Sequence, residues 1–165
     1  MACNKGKGVS MISFSVAIGP NKGIGIKGSL PWHIKDELKI FKANTMGKNI
    51  VMGQTTYDNL PNKLEGRYKT IISTNTNYHP EGVDVVNNLQ EFIEKHQDDE
   101  EEYIICGGAS IYRQTYKYAK KAYVSFIKKE YEVDTKFDEF NLSDWTITKE
   151  IEYEEFIYRE LRRDI

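Results

Sequence analysis

The sequence predicts one α/β domain: a mostly parallel central β-sheet with helices on both faces and an antiparallel hairpin at its C-terminal end. Two observations favour this fold class. Short apolar runs alternate with segments of helical periodicity from residue 11 to about residue 118. Beyond that point the chain holds long strand-like segments and no helical one. With 165 residues, 39% of them hydrophobic, the chain is long enough for one hydrophobic core.

The predicted strands are mostly short and apolar. Residues 11–18 are apolar at nearly every position, which is typical of a strand that is covered on both faces. The remaining predicted strands cover residues 48–53, 68–73, 83–86, 103–106, 122–132, 145–153 and 155–161. Only one residue separates the last two predicted strands in the sequence, so we expect them to form the antiparallel hairpin at one edge of the sheet.

Helices are predicted between these strands. They cover residues 35–45, residues 54–60, a segment that Asn87 or Asn88 caps and that ends near residue 96, and residues 109–118.

The first predicted helix carries a carboxylate beside its apolar stripe. At about 100° per residue the stripe consists of Ile34, Leu38, Phe41 and the methyl group of Thr45. Glu37 falls at the margin of this stripe, whereas Asp36 points nearly the opposite way. A carboxylate next to buried apolar surface is costly unless something pairs with it. Glu37 is therefore a candidate functional residue.

Composition excludes several classes of protein. Twenty-three basic and 25 acidic residues leave a net charge of −2, which gives no electrostatic footprint for DNA or RNA. No apolar run approaches the length needed to cross a bilayer. The two cysteines, Cys3 and Cys106, do not make a disulfide framework and suit a reducing cytoplasm. Residues 1–10 are polar and are predicted to be a disordered extension of a domain that covers residues 11–165. No metal site is predicted.

A glycine-rich loop precedes the first predicted helix. Gly23, Gly25 and Gly28 allow backbone angles that other residues disfavour, and they let a flat ligand approach the main chain. Pro31 ends this freedom, and Trp32 offers a large rigid face with one N–H donor.

Two strand-to-helix junctions have residues suited to phosphate. In open parallel sheets, ligands bind beyond the carboxyl ends of the strands. The segment 53–56 begins a helix with free N–H groups and two hydroxyls, and the segment 107–110 begins another with two glycines. Neither segment matches a Walker lysine loop or a three-glycine dinucleotide motif. Two phosphate sites on one small sheet suit a dinucleotide.

In this order and spacing, these segments resemble dihydrofolate reductase over residues 11 to about 163. The resemblance rests on the run from Gly25 to Leu30-Pro31-Trp32, Glu37, Val51-Met52-Gly53 with Thr56, Gly66-Arg67, Gly107-Gly108 with Ile111-Tyr112, and Asp134-Thr135 with Phe137. It implies reduction of 7,8-dihydrofolate to tetrahydrofolate by hydride from NADPH, in one-carbon metabolism. It further implies a monomer in the cytoplasm that binds antifolate inhibitors, and a cis bond between Gly107 and Gly108.

The resemblance assigns catalytic roles to three residues. Glu37 would accept hydrogen bonds from the ring N–H and the exocyclic amino group of the pterin, a charge-assisted contact that fixes the ring. Trp32 would hold an ordered water near the pterin, and the proton would arrive through water. Leu30 would pack over the reacting rings as part of a mobile loop, to which Asp134 would hydrogen-bond.

The resemblance also implies a set of substrate-binding residues. Arg67 would clamp the α-carboxylate of the substrate's glutamate, for which a planar guanidinium is suited. Ser125 would help hold the pterin amino group beside Glu37. The full predicted set is Ser15, Val16, Glu37, Leu38, Phe41, Leu60, Leu64, Arg67, Cys106, Tyr112 and Ser125. Cys106 would act as a small apolar filler, not as a nucleophile.

The implied NADPH site follows the glycine loop and the two junctions. The predicted set is Ala17, Gly23, Ile24, Gly25, Ile26, Lys27, Gly28, Ser29, Gly53, Gln54, Thr55, Thr56, Ser73, Thr74, Cys106, Gly107, Gly108, Ala109, Ser110, Ile111, Tyr112 and Gln114. Some bacterial relatives have arginine at the positions of Gln54 and Ser110. Here those positions and Thr74 supply an amide and hydroxyls, so NADPH remains the expected cofactor but the strength of its preference over NADH is left open.

Two alternatives fit the same architecture. A riboflavin-pathway reductase would act on a ribosylated pyrimidine, but that substrate has neither a pterin amidine for Glu37 nor a glutamate tail for Arg67. A catalytically silent binding module would keep the fold and serve as an assembly or regulatory partner. Loss of NADPH absorbance in the presence of dihydrofolate separates these readings from a dihydrofolate reductase.

Overall fold

The computed structural model describes residues 12–97 and 100–165, so the predicted extension over residues 1–10 lies outside the described part. The strands are β1 (Ile12–Ile18), β2 (Gly23–Gly25), β3 (Asn49–Gly53), β4 (Tyr68–Ile72), β5 (Asp84–Val86), β6 (Tyr103–Ile105), β7 (Lys121–Ile127), β8 (Thr135–Lys136), β9 (Thr146–Glu152) and β10 (Phe156–Arg162). The α-helices are α1 (Lys35–Thr45), α2 (Gln54–Asp58), α3 (Leu89–His96) and α4 (Ala109–Thr115), with 3₁₀ helices at Tyr116–Tyr118 and Leu142–Asp144.

Eight strands form one sheet in the order β5-β4-β3-β6-β1-β7-β10-β9. The pairs from β5 to β7 are all parallel, whereas β10 pairs antiparallel with both β7 and β9. The predicted mostly parallel sheet and C-terminal hairpin are therefore confirmed. The side chain of Asn88, one of the two predicted caps, accepts a hydrogen bond from the backbone N–H of Glu91 at the start of α3.

Alternate residues of the central strands supply two hydrophobic cores, one on each face of the sheet. On one face, Phe14 of β1 and Val124 of β7 pack with residues of α3 and α4. On the other face, Ala17 of β1 and Ile104 of β6 pack with Tyr57 of α2 and with the residues around α1. The helices thus cover both faces, as predicted.

The direction in which successive strands are added to the sheet changes between β6 and β1. After β1 the chain passes through α1 to β3 on one side, and after β6 it passes through α4 to β7 on the other. The pairing of β1 with β6 ends at Phe14 and Ile105, although β1 continues to Ile18. This arrangement opens a crevice at the carboxyl ends of the strands, where open α/β sheets bind their ligands.

Some predicted element boundaries were wrong. The strand predicted over 122–132 ends at Ile127, because its neighbour β10 begins at Phe156 and pairs with β7 only as far as that residue. The helix predicted over 109–118 changes to 3₁₀ geometry after Thr115. The two-stranded pairing of β2 with β8 was not predicted, since neither the glycine loop nor a two-residue strand shows strand periodicity.

The predicted apolar stripe of α1 was wrong at one position. Leu38 is 41% exposed, whereas the buried residues of α1 are Glu37 and Thr45. The helix therefore turns its polar Glu37 toward the sheet and leaves the Leu38 side chain at the surface.

Candidate active site

A buried carboxylate lies between α1 and the sheet. Glu37, in the first turn of α1, is only 8% exposed. The hydroxyl of Ser125 donates a hydrogen bond to Glu37 Oε2 over 3.2 Å. Ser125 lies on β7 beside Ala17 of β1, so the carboxylate faces the two central strands. Burial raises the pKa of Glu37, and the Ser125 hydrogen bond opposes this shift.

Trp32 belongs to the hydrophobic core on the same face of the sheet as Ala17. It is 6% exposed, and its ring meets that of Tyr131 edge-on, with centroids 5.6 Å apart. Trp32 Nε1 is buried and donates to no group in the described part of the chain. A buried donor of this kind requires a water or ligand partner. This face of the sheet thus holds a buried ionisable acceptor, Glu37, and a buried donor, Trp32 Nε1, that has no partner in the described part of the chain.

The four predicted apolar residues of the substrate site differ in exposure, and one of them, Phe41, lies beside the guanidinium of Arg67. Leu38 is exposed, Phe41 of the next helical turn is partly buried, and Leu60 and Leu64 pack partly buried against the core on the α1 face. Arg67 lies with its guanidinium carbon 5.9 Å from the centre of the Phe41 ring.

The orientation of Arg67 is fixed by polar contacts. Its Nε donates to the hydroxyl oxygen of Thr45 over 3.1 Å, and one terminal nitrogen donates to the carbonyl of Glu65, also over 3.1 Å. The Thr45 hydroxyl in turn donates to the Phe41 carbonyl, so α1 itself positions the guanidinium. The other terminal nitrogen is available for a carboxylate.

The glycine loop folds back on the β7–β8 connection. Ile26 and Ser29 pair across a turn in which Lys27 and Gly28 have φ of 51° and 79°. The backbone N–H of Lys27 donates to Asp134 Oδ2 over 2.9 Å. This bond and the Thr135 hydroxyl lower the pKa of Asp134. Within this loop, residues 27–30, which include the predicted site residues Lys27, Ser29 and Leu30, are exposed at its tip.

The two predicted phosphate junctions are adjacent. The N–H of Gly53 donates to the carbonyl of Gly107 over 3.0 Å, and the Gly107–Gly108 peptide bond is cis, as the resemblance implies. A Cβ on Gly108 would lie 2.9 Å from the Thr56 hydroxyl oxygen, and one on Gly53 would lie 3.3 Å from Ile111 Cγ1.

The close approach of the two junctions forms a cradle that could hold an anion. The N-termini of α2 and α4 approach closely because residues 53 and 108 are glycines, and their first amides lack intrahelical acceptors. This cradle suits an anion such as a pyrophosphate, so the residues present fit a dinucleotide.

Tyr112 and Cys106 lie at the crevice between β1 and β6. The Tyr112 hydroxyl donates to the carbonyl of Ser15 over 2.7 Å, at the point where β6 no longer pairs with β1. Burial raises the pKa of the Cys106 thiol to about 12, so it stays neutral at physiological pH. A neutral thiol agrees with the predicted role of Cys106 as a filler.

A polar cluster lies at the far end of the cradle, and the sequence predicted only some of its residues. The buried Ser73 hydroxyl donates to Gln54 Oε1 over 2.6 Å. Asp58, Tyr78 and Asn87 join the same cluster and were not predicted. Of these, Asn87 was considered only as a helix cap. Its place directly after β5, like that of Ser73 after β4, is a sequence signal that could have indicated the site.

The structure brings most predicted site residues to this one edge of the sheet. The residues around Glu37 come from β1, α1 and β7, and the cradle residues come from the junctions after β3 and β6. Gln114 lies one turn further along α4 than Ser110, and its amide donates to the hydroxyl and carbonyl oxygens of Ser110. Thr74 and Ser110 are exposed.

Residues 12–97 and 100–165 contain no group of three or more His, Cys, Asp or Glu side chains arranged to hold a metal ion. In that same part of the chain, no helix has the length and apolar character that crossing a bilayer requires.

Comparisons with known proteins agree with this geometry. The family model for dihydrofolate reductase matches residues 11–160. The dihydrofolate reductase of Bacillus subtilis (strain 168) is 34% identical over 137 residues, which are 83% of this chain and 81% of that protein. That of Mycoplasma genitalium is 38% identical over 138 residues, which are 81% of this chain and 86% of that protein. A dihydrofolate reductase from Enterococcus faecalis, solved in complex with NADP(H) and RAB-propyl, matches with a TM-score of 0.81 and 25% identity over 98% of each chain.

Proposed function

The chain belongs to the dihydrofolate reductase family, and on this premise we propose that Glu37 binds and polarises the pterin ring of the substrate. The enzyme reduces 7,8-dihydrofolate to 5,6,7,8-tetrahydrofolate with NADPH as its cofactor. Burial of Glu37 beside Ser125 is the single observation that carries the proposed role. An acid that is costly to bury is retained where a ligand pairs with it.

The ionised Glu37 accepts two hydrogen bonds from the amidine edge of the pterin, which fixes the ring against the central strands. Ser125 holds one carboxylate oxygen in place from β7. The negative charge of Glu37 also favours a proton on the ring nitrogen next to the carbon that is reduced. Trp32 Nε1, which has no protein partner in the described part of the chain, holds the water through which this proton arrives.

The cradle between α2 and α4 holds the cofactor. Thr55 and Thr56 bind its pyrophosphate from one side, and the amides of residues 108–111 bind it from the other. When bound, NADPH supplies the hydride, which is chemistry that no side chain of this pocket provides. The glycine loop, held by Asp134 through the Lys27 amide, covers the pocket and excludes bulk solvent, apart from the water that Trp32 holds.

The experiment that tests this role is the substitution Glu37→Gln. We expect turnover at neutral pH to fall by roughly 10²–10⁴-fold, because the variant has no charge to favour protonation of the pterin. Part of the activity should return in acid, where the substrate is already protonated. The matched control is Asp36→Asn, which removes a carboxylate from the exposed side of the same helical turn. Unchanged neutral-pH turnover in Glu37→Gln would exclude the proposed role.

We also propose that the enzyme acts as a monomer in the cytoplasm. The exposed edge strand β9 carries Lys149 between Ile147 and Ile151, and a charge at that position opposes edge-to-edge pairing with a second copy. The free thiol of Cys106 suits a reducing compartment. Light scattering on the purified protein and activity in fractionated cells test these two statements.

A further inference from the structure

The strands beyond the phosphate cradle, β4 and β5, form the edge of the sheet. The pocket of Glu37 lies over β1 and β7, and the cradle lies at the ends of β3 and β6. The next strands along the same line are β4 and β5. A dinucleotide with its reactive ring beside the pterin that Glu37 binds, and with its pyrophosphate in the cradle, therefore places its adenosine at the carboxyl ends of β4 and β5. This placement rests on the proposed function.

The residue at the end of β4 has its polar atoms occupied by the protein. Ser73 is 5% exposed, and its hydroxyl donates to Gln54 Oε1 over 2.6 Å. The same hydroxyl oxygen accepts the N–H of Asn75 over 3.1 Å. Its carbonyl accepts from Asn87 Nδ2 over 2.7 Å. The Ser73 hydroxyl proton is thus committed and is not free for a phosphate.

The charge around the carboxyl ends of β4 and β5 is negative. Asp58 Oδ1 accepts from the Tyr78 hydroxyl over 2.7 Å, and Asp58 Oδ2 accepts from Gln54 Nε2 over 3.4 Å. The amide of Gln54 is therefore held between a hydroxyl and a carboxylate. The four segments that build this end, residues 53–58, 73–78, 86–88 and 108–111, contain one charged side chain, that of Asp58.

A ribose 2′-phosphate is a dianion, and proteins bind it with arginine or lysine, whereas an acidic residue selects a ribose hydroxyl. We propose that the Gln54–Ser73–Asp58 cluster recognises an unphosphorylated adenosine ribose, so that this reductase uses NADH as well as NADPH. Most of the binding free energy then comes from contacts that both cofactors make, at the cradle and at the nicotinamide. The preference for NADPH over NADH is then less than about tenfold, because no ion pair to the 2′-phosphate forms.

Binding of adenosine fragments tests the cluster without turnover. Titration calorimetry on the full chain compares 5′-AMP with 2′,5′-ADP, at low and at high salt. We expect the two affinities to lie within about tenfold of each other, with a ratio that salt hardly changes. A preference of about a hundredfold or more for 2′,5′-ADP, weakened by salt, would overturn the proposal.

A charge-reversing variant tests the residues themselves. Gln54→Arg combined with Asp58→Asn replaces the held amide with a guanidinium and removes the acid. The ratio of NADPH to NADH affinity should rise by about tenfold or more, as for a new charge-assisted pair. Gln90→Arg, which adds the same charge on the exposed surface of α3, should leave the ratio unchanged. A rise of equal size in the control, or none in the double variant, contradicts the assignment.

Steady-state turnover of the unmodified enzyme separates this inference from the proposed function. Reduction of dihydrofolate with both cofactors at comparable kcat/KM supports both. A kcat/KM that is about a hundredfold or more higher with NADPH than with NADH overturns the inference and leaves the proposed function intact. Turnover with neither cofactor overturns both.

Discussion

The carboxyl group of Glu37 lies in surroundings that disfavour its charge. Of the described side chains, Ser125 is the one that donates a hydrogen bond to it, and burial is the larger influence on its pKa. Because the pKa is raised above the value of 4.5 for an unperturbed glutamate, the folded protein holds this proton to higher pH than the unfolded chain does. The contribution of Glu37 to stability is therefore fully present below pH 4.5 and is lost as the pH rises through its folded pKa.

This linkage predicts opposite effects of Glu37→Gln on activity and on stability. Without ligand at neutral pH, the variant should be more stable than the parent, because it buries no charge. The difference should shrink as the pH falls through the Glu37 pKa. Urea unfolding of both proteins across the acid range measures it, with Asp36→Asn as the control for loss of an exposed carboxylate from the same helical turn. A variant that is less stable at neutral pH would show that the protein, and not the ligand, compensates the charge.

Arg67 carries the second prediction at the scale of a residue. Arg67→Leu should weaken folate binding by about 1.5–3 kcal/mol, because it removes a charge-assisted pair with the glutamate carboxylate. Binding of a pterin that lacks the glutamate tail should be unaffected. Calorimetric titration with the two ligands makes the comparison. Lys42→Leu, which removes an exposed cation from the last turn of α1, is the matched control. Equal losses for both ligands would contradict the assignment.

At the scale of an element, the glycine loop is packed against the connection between β7 and β8. A Cβ on Gly23 would overlap Val133 Cγ1 and would lie 2.7 Å from Val133 Cγ2. Gly23→Ala should therefore displace β2 from β8 at a cost of about 1–3 kcal/mol, and it should lower kcat through the loop that covers the pocket.

A compensating substitution makes this prediction specific. Val133→Ala removes the two methyl groups that meet the new Cβ, so the double variant should recover much of the lost kcat. Stopped-flow measurement of the hydride step on the parent, both single variants and the double variant gives the coupling. Additive losses would mean that Val133 is not what makes glycine necessary at residue 23.

The elements themselves differ in how far sequence could predict them. The bounds of α1 follow from its periodicity and match the prediction, residue for residue. Its buried face does not, since Leu38 is exposed while Glu37 is buried. Periodicity places apolar residues toward a core. In α1, however, an acid is buried and an apolar side chain lies at the surface, as at other functional sites that depart from this rule. The pairing of β2 with β8 depends on contacts between segments about 110 residues apart, and no local pattern encodes them.

Some residues of the candidate site could be predicted from sequence, and others could not, because they come together only in the folded chain. Glu37, Arg67 and the two glycine junctions could be named from spacing and resemblance. Asp58 and Tyr78 could not, because each is an ordinary surface residue in sequence. They meet only when the loop after β4 folds over the end of α2.

At the scale of the whole molecule, one arginine joins the C-terminal strand to the core on the α3–α4 face. The guanidinium carbon of Arg163 lies 4.1 Å from the centre of the Trp145 ring and 4.7 Å from that of Tyr116. Arg163 also donates to the carbonyl of Ala119 over 2.8 Å and to the carbonyl of Tyr116. The end of β10, the start of β9 and the segment between α4 and β7 are thereby held together, away from the ligand pocket.

This arrangement predicts a substitution that changes stability and leaves catalysis unchanged. Arg163→Leu removes two cation–π contacts and two hydrogen bonds, so the free energy of unfolding should fall by about 2–3 kcal/mol. The values of kcat and KM should stay those of the parent at a temperature where both proteins are folded. Arg162→Leu removes the neighbouring exposed arginine and should cost less than about 0.5 kcal/mol. Urea denaturation of the three proteins measures the difference. Equal losses in the two variants would mean that charge near the C-terminus, and not the contacts of Arg163, stabilises this end of the sheet.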